Sequence, residues 1–282
     1  LLKETAILLV LVSNVVKQDI NEGSVLHLID IHCHILPDVD DGAKQIEDSL
    51  AMAREAVSQG IHTIIATPHH KNGQYENNKP SILQYVKQLN EKLNEVDIPL
   101  TILPGQEIRI YGEMVEGFEQ GELLTLNETS QYAFIELPTN HVPRYTEKLL
   151  FDLQVHNVTP IIVHPERNTE LLEHPNHLYD FVRNGVLTQV TAASLVGKFG
   201  KKIKKFSHEL IEANLTHFIA SDAHNIRSRS FMMAEATEQF KELYGQHHLY
   251  TFMENAQLLI DGDIIYVDEP QRIKKKKFLG MF

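Results

Sequence analysis

From Leu28 to Tyr244 the chain repeats one unit, a short apolar run of strand character followed by an amphipathic stretch of helix character. The strand candidates are residues 28–32, 63–67, 100–103, 132–136, 160–164, 186–191 and 218–221. Between and after them, residues 46–59, 80–95, 146–156, 177–184, 201–214 and 231–244 carry the helical pattern. Ser81 after Pro80, and Gly60, Gly185 and Gly245, supply start and stop signals of the kind helices need. A strand followed by a helix returns the chain to the same edge, so the next strand runs parallel to the last. Seven strands in this alternation predict an α/β fold, a (β/α)7 barrel that is closed or somewhat distorted, in a single domain. No repeat, low-complexity stretch or internal linker interrupts it.

The domain is expected over residues 28–268, with a basic tail at 269–282 that holds Arg272 and Lys274 to Lys277. Residues 1–27 read as a leader that is non-native or disordered. Its apolar run at 6–12 is too short to span a bilayer. Lys3 is offset by Glu4, and no small-residue cleavage site follows, so the run is a poor signal peptide. The 26 basic and 38 acidic residues give a net charge of -12, which argues against broad nucleic-acid binding. One cysteine permits no internal disulfide, and a reducing, cytoplasmic setting is the simpler expectation. The 16 histidines are a generous supply for 282 residues.

Those histidines, with several carboxylates, gather where the strands end. In parallel barrels the C-terminal strand ends face the active site. The first strand ends in His32 and His34, spaced two apart so that both project from one face of an extended chain. The acidic loop Asp38, Asp40, Asp41 and Gly42 follows. The second strand runs into His69 and His70, and the third into Glu107. The fourth ends in Glu136, the fifth in His164, Glu166 and Arg167, and the seventh in Asp222 and His224. Imidazole mixed with carboxylate suits Mn, Fe or Zn better than Ca or Mg. Nine candidate ligands exceed the needs of one ion, so a cluster bridged by carboxylates is implied. Asp38 and Asp40 read as solvated loop charges, and Asp30 as a group that orients a ligand histidine through its second ring N–H. His62, His70, His156 and His217 read as strand flanks or helix linings. Alternation turns Cys33 away from the histidine face, and no phosphate-cradling loop with an arginine follows it, so it reads as a core thiol and not a nucleophile.

Asp30-x-His32-x-His34, Leu36-Pro37 before Asp40-Asp41-Gly42, Thr67-Pro68-His69, Glu107-Ile108, Ile135-Glu136, His164-Pro165-Glu166-Arg167 and Ser221-Asp222-Ala223-His224-Asn225 occur in this order. That series resembles the polymerase-and-histidinol-phosphatase (PHP) superfamily. Within it, the Asp-Asp-Gly and His-Pro-Glu-Arg motifs resemble the manganese-dependent protein-tyrosine phosphatases of bacterial capsule and exopolysaccharide loci. The resemblance covers residues 28–265 and implies a distorted (β/α)7 barrel with three metals, Mn2+ foremost and Fe or Zn as alternatives. It implies that His32, His34, Glu107 and Asp222 hold one ion, and that Glu107 bridges to a second held by Glu136 and His164. Asp41, His69 and His224 would hold the third. Arg167 and Arg229 would grip phosphate, although Arg227 stands beside Arg229 and leaves open which of the two faces the site. The leader has no counterpart in that family, where the first metal motif lies at the N-terminus.

The implied reaction is hydrolysis of phosphotyrosine by a water that bridges two cations and loses its proton near neutral pH. Metals and arginines neutralise the phosphoryl oxygens, and the leaving phenolate takes a proton from water or from His69. The implied partner is a bacterial tyrosine kinase with a tyrosine-rich tail. The alternatives are a histidinol-phosphate phosphatase or other PHP phosphoesterase, an exonuclease of the same fold, and a regulator that binds phosphotyrosine without cleaving it.

Overall fold

A computed structural model describes residues 28–128 and 130–273. The leader at 1–27 and the lysine run of the tail lie outside the described residues. The elements are β1 (Leu28–Cys33), α1 (Ile46–Ser58), β2 (Ile61–Ala66), β3 (His69–His70), α2 (Lys79–Glu95), β4 (Thr101–Pro104), β5 (Glu107–Arg109) and α3 (Met114–Glu119). There follow β6 (Tyr132–Glu136), α4 (Thr146–Val155), β7 (Thr159–Val163), a 3-10 turn (Pro165–Arg167), α5 (Thr169–Glu173) and α6 (Asn176–Arg183). The chain continues through β8 (Leu187–Thr191), α7 (Ala192–Val196), α8 (Lys201–Glu212), β9 (Phe218–Ala220), α9 (Met233–Tyr244) and α10 (Gln246–Asp261).

Every strand pair is parallel, in the orders β1-β2-β4 and β3-β5-β6-β7-β8-β9. The two groups are one barrel wall. Thr67-Pro68 separates β2 from β3, and Gly105-Gln106 separates β4 from β5, so the second and third strand positions are each broken in half. Proline has no N–H for a ladder and glycine no side chain to pack, so both mark such breaks. The barrel closes where the segment just past β9 meets the end of β1. There Asp222 N donates to His32 O at 2.9 Å and His34 N donates to Ala223 O at 2.9 Å. All seven expected strands are present, and the wall is a distorted seven-position parallel barrel.

Side chains alternate between two apolar layers, as the two-residue period of a strand requires. Ile64, Ala133, Ile135, Ile162 and Ile219 face outward and pack with helix residues such as Met52, Leu89, Leu150, Leu210 and Phe240. Ile29, Ile31, Ile65, Phe134, Ile161, Val163 and Phe218 form the inner layer. Ala256 and Leu259 of α10 belong to that inner layer, with Leu126 and Ile265. Asn255 Nδ2 donates to His217 O at 3.1 Å, and Tyr132 Oη donates to Asp263 O at 2.7 Å. Helix α10 and its C-terminal segment therefore lie over the strand starts and seal that end. The strand C-termini form the open mouth.

One irregularity in β1 decides what reaches that mouth. Asp30 pairs with Ile64 but Cys33 with Ala66, so three residues on β1 span two on β2. This is a bulge, and a bulge re-aims the side chains beyond it. Before it, Ile29 and Ile31 point inward; after it, His32 and His34 do.

The first residues of the expected tail are tied to the barrel. Gln271 N donates to Ala213 O at 2.8 Å, and the Arg272 guanidinium lies 4.1 Å from the centre of the Tyr179 ring.

Candidate metal centre

All nine sequence-derived ligands converge at the mouth. Donor atoms lie within 4.8 Å of one another in four overlapping groups: His34, Asp41, His69 and His224; His32, His34 and Asp222; His32, Glu107 and His164; and His69, Glu107 and Glu136. The ion sets expected from the motifs overlap these groups, and His34 and His69 each join two of them. Local backbone turns aim several of the ligands. His164 (φ 37°) directly follows β7 and Asp222 (φ 52°) lies two residues past β9, and both take the left-handed conformation that non-glycine residues rarely adopt. Such backbone persists only where the surroundings over-determine it, which functional sites commonly do. Gly42 is a contact requirement: a Cβ there would sit 2.1 Å from His34 O.

Six buried atoms in this cluster have no hydrogen-bond partner: Nε2 of His32, His34 and His224, Nδ1 of His69, Oε2 of Glu107 and Oε2 of Glu136. Their nearest carboxylate and imidazole neighbours are 2.8 to 3.8 Å away but do not meet hydrogen-bond geometry with them. Buried polar atoms are almost always paired. Six orphans around one space, all imidazole or carboxylate, fit divalent cations of the Mn, Fe or Zn kind.

The electrostatics agree. Burial opposes ionisation of Glu107, but His69, His32 and His164 hold its carboxyl well below the usual range. Asp222 is likewise buried and held well below it, by Arg167 and His34. Burial and Glu107 push Glu136 up to about 7. Burial resists protonation of His69, while Glu107 and Asp41 draw its ring up to about 10. Burial lowers His164 to about 4, helped by Arg167, and His224 to about 4, helped by His34. The carboxylates have recruited imidazolium and guanidinium as counter-charges, a role that bound cations fill in sites of this composition.

The supporting groups differ from expectation in two places. Asp30 does not touch a ligand ring; it accepts from Ser221 N at 2.9 Å and from Ser221 Oγ. The bulge sits between Asp30 and the histidines, so their shared spacing does not give a shared direction. Asp40 is not a solvated loop charge. It is buried, accepts from Gly42 N at 2.8 Å and from His69 N at 3.1 Å, and pairs with His34 Nδ1 at 2.7 Å. Gln189 Oε1, 2.9 Å from His32 Nδ1, orients the other ring, so in both histidines Nε2 is left for the centre. Gln189 was missed by motif, although a glutamine inside an apolar strand run was a signal. Arg109 was also missed; its Nη2 lies 2.8 Å from Glu136 Oε1. Asp38 is exposed, and Glu166 turns into the fold to accept from Thr191 N and Ser194 Oγ. His217 accepts from Thr188 N at 3.0 Å, and His156 pairs with Glu119 on the surface.

A cavity of about 360 Å³ opens over the cluster, lined by His69, Glu136, His164, Arg167, Asp222 and Arg229 with the apolar Leu137 and Phe199. Arg167 Nη2 is 2.7 Å from Asp222 Oδ2, and Arg229 Nη2 is 3.0 Å from the same oxygen. Arg227 does not line this cavity; it lies on a neighbouring groove.

A parallel barrel with imidazole and carboxylate ligands and paired arginines at its mouth defines a metal-dependent hydrolase. The chain belongs to the CpsB/CapC family of capsular polysaccharide synthesis, whose model matches residues 28–261. It is 51% identical over 255 residues to the tyrosine-protein phosphatase YwqE of Bacillus subtilis, covering 90% of this chain and all of that protein. Identity to the tyrosine-protein phosphatase CpsB of Streptococcus pneumoniae is 33% over 244 residues, covering 84% of this chain and all of that protein. One solved chain, from a description of the crystal structures of YwqE from Bacillus subtilis and CpsB from Streptococcus pneumoniae as unique metal-dependent tyrosine phosphatases, gives a TM-score of 0.86 at 50% identity, covering 88% of this chain and 100% of that chain.

Proposed function

We propose that the protein is a metal-dependent protein-tyrosine phosphatase of capsular polysaccharide synthesis that hydrolyses phosphotyrosine on a bacterial tyrosine kinase. The observation that carries this reading is the set of six orphaned donor atoms beneath two cavity-lining arginines. In this reading His32, His34, Asp41, His69, Glu107, Glu136, His164, Asp222 and His224 hold the ions, with Mn2+ the preferred occupant. When bound, the ions supply an activated water and positive charge against the phosphoryl oxygens. Arg167 and Arg229 present planar guanidinium forks to the remaining oxygens, where negative charge collects during in-line transfer. Leu137 and Phe199 are apolar residues of the cavity lining and would supply the surface on which the substrate's aromatic ring packs. His69 lines the cavity and is the imidazole assigned to give the leaving oxygen a proton. A phenolate, with a conjugate-acid pKa near 10, needs little such help.

The test is turnover of a phosphotyrosine peptide after chelation and after readdition of Mn2+, with histidinol phosphate as the comparison substrate. Loss on chelation, recovery with Mn2+ and a preference for the peptide support the reading. Full turnover in metal-stripped protein, or a preference for histidinol phosphate, overturns it.

A further inference from the structure

Beside the metal cavity runs a second cavity of about 360 Å³, lined by Lys44, Asp48, Met52, Ile226 and Arg227 together with Asp41 and His224. The last two belong to the candidate ligand cluster, so this groove abuts the metal site. The loop after His224 distributes its arginines between them. Asn225 Oδ1 accepts from the amides of Arg227 at 2.9 Å, Ser228 at 2.8 Å and Arg229 at 3.2 Å, which fixes the loop in a tight turn. Arg229 thereby enters the metal cavity and Arg227 the second groove.

Two carboxylates, Asp41 and Asp48, and two cations, Lys44 and Arg227, line this groove, and they do not pair with one another. Asp41 is engaged by Arg229, His69 and His224, and Asp48 accepts the Lys44 amide at 3.2 Å. The Lys44 ammonium donates to a backbone carbonyl, that of Asp40, at 2.8 Å. Among the described residues neither Lys44 nor Arg227 has a carboxylate partner, in a chain whose net charge is -12. Two cations without an ion-pair partner beside the centre, with Asp41 already engaged, suit an anionic side chain of an extended segment.

We infer that the groove carrying Lys44 and Arg227 receives an anionic side chain flanking the phosphotyrosine of the substrate polypeptide. This rests on the phosphotyrosine reading of the neighbouring cavity. The anion is a carboxylate or a second phosphate, since a guanidinium and an ammonium recognise both.

The experiment compares Mn2+-loaded enzyme on phosphotyrosine peptides that differ only in the flanking residues: glutamate, phosphoserine, serine or lysine. Glutamate- or phosphoserine-flanked peptide is expected to have a KM roughly fivefold below that of the serine peptide, the scale of a partly exposed ion pair, with kcat little changed. The glutamate and phosphoserine arms tell the two anions apart. Arg227→Glu is expected to abolish that preference and to favour the lysine-flanked peptide, and Lys44→Glu to act in the same direction. No flank preference in the wild type, or a preference that survives Arg227→Glu, overturns the inference. Fluorescence anisotropy with the same labelled peptides reads the groove without turnover. A flank preference in binding with no hydrolysis would sink the phosphatase reading alone, and hydrolysis without preference would sink the groove alone.

Discussion

His34 Nδ1 and Asp40 Oδ2 are 2.7 Å apart and both side chains are fully buried. The same carboxylate accepts from the backbone of Gly42 and of His69, so one aspartate sets the position of two candidate ligands and of the loop between them. Asp40→Asn keeps the shape but weakens this grip. Metal affinity is expected to fall about 10- to 100-fold, the usual cost of losing a group that orients a ligand. Metal content after dialysis against graded chelator measures it, and unchanged content would show that His34 is held by other means.

Arg167 and Arg229 meet on one oxygen of Asp222 and face the cavity. Arg167→Ala should lower kcat/KM by about 10²-fold or more while metal content stays near that of the wild type. Arg167→Lys should recover little, because an ammonium does not reproduce the fork. Arg229→Ala should cost more on a small aryl phosphate than Arg227→Ala, whose side chain lies in the neighbouring groove. The reverse order would place the loop after His224 differently from the arrangement described.

Cys33 lies between two candidate ligands in sequence but faces the outer layer, with its sulfur 3.5 Å from Ala223 O. Burial, then the charges of Asp30 and Asp222, push its thiol well above the ordinary range, so it is no nucleophile near neutral pH. Cys33→Ala should retain turnover at a stability cost of roughly 1–2 kcal/mol. Native enzyme should also resist iodoacetamide. Rapid inactivation by the reagent would contradict this placement.

His217 gives the fold a pH dependence independent of the metal cluster. Burial lowers its ring to about 4 from the ordinary imidazole value of 6.5, and Nδ1 accepts the Thr188 amide, which a protonated ring cannot do. The unfolded chain therefore binds the proton first as pH falls. This contribution to stability is intact above pH 6.5 and declines between 6.5 and about 4, by about 3 kcal/mol in all. Urea midpoints across that range measure the slope, and His217→Asn, whose amide oxygen still accepts, should flatten it.

The barrel was legible because most strands are apolar runs closed by a proline or a polar residue, and the helices carry a clear stripe. Helix α10 was not read: it follows α9 with only Gly245 (φ 86°) between them, where alternation calls for a strand. The breaks at Thr67-Pro68 and Gly105-Gln106 were likewise read as strand ends when the ladder resumes beyond them. The convergence of the candidate ligands was legible because polar residues at strand ends need a reason to be there. Their supports were not, since Gln189 and Arg109 come from other strands and reach the cluster only through the closed wall. Asp30 misled for a different reason. A two-residue spacing reports direction only along an unbroken strand, and the extra residue in β1 leaves no mark in the pattern of residue types.

Among the described residues, α10 and the Ile265 segment cover the strand starts, so substrate and product meet the candidate centre at the same end of the barrel. Inorganic phosphate, once formed, departs through the opening that the next phosphotyrosine needs, past the arginines that held it as an ester. Turnover should then slow as phosphate accumulates, competitively with respect to the peptide, and Arg167→Ala should relieve that inhibition along with its loss of rate. On such an architecture the exit of the spent anion, and not its creation, becomes the step that a crowded cell can throttle.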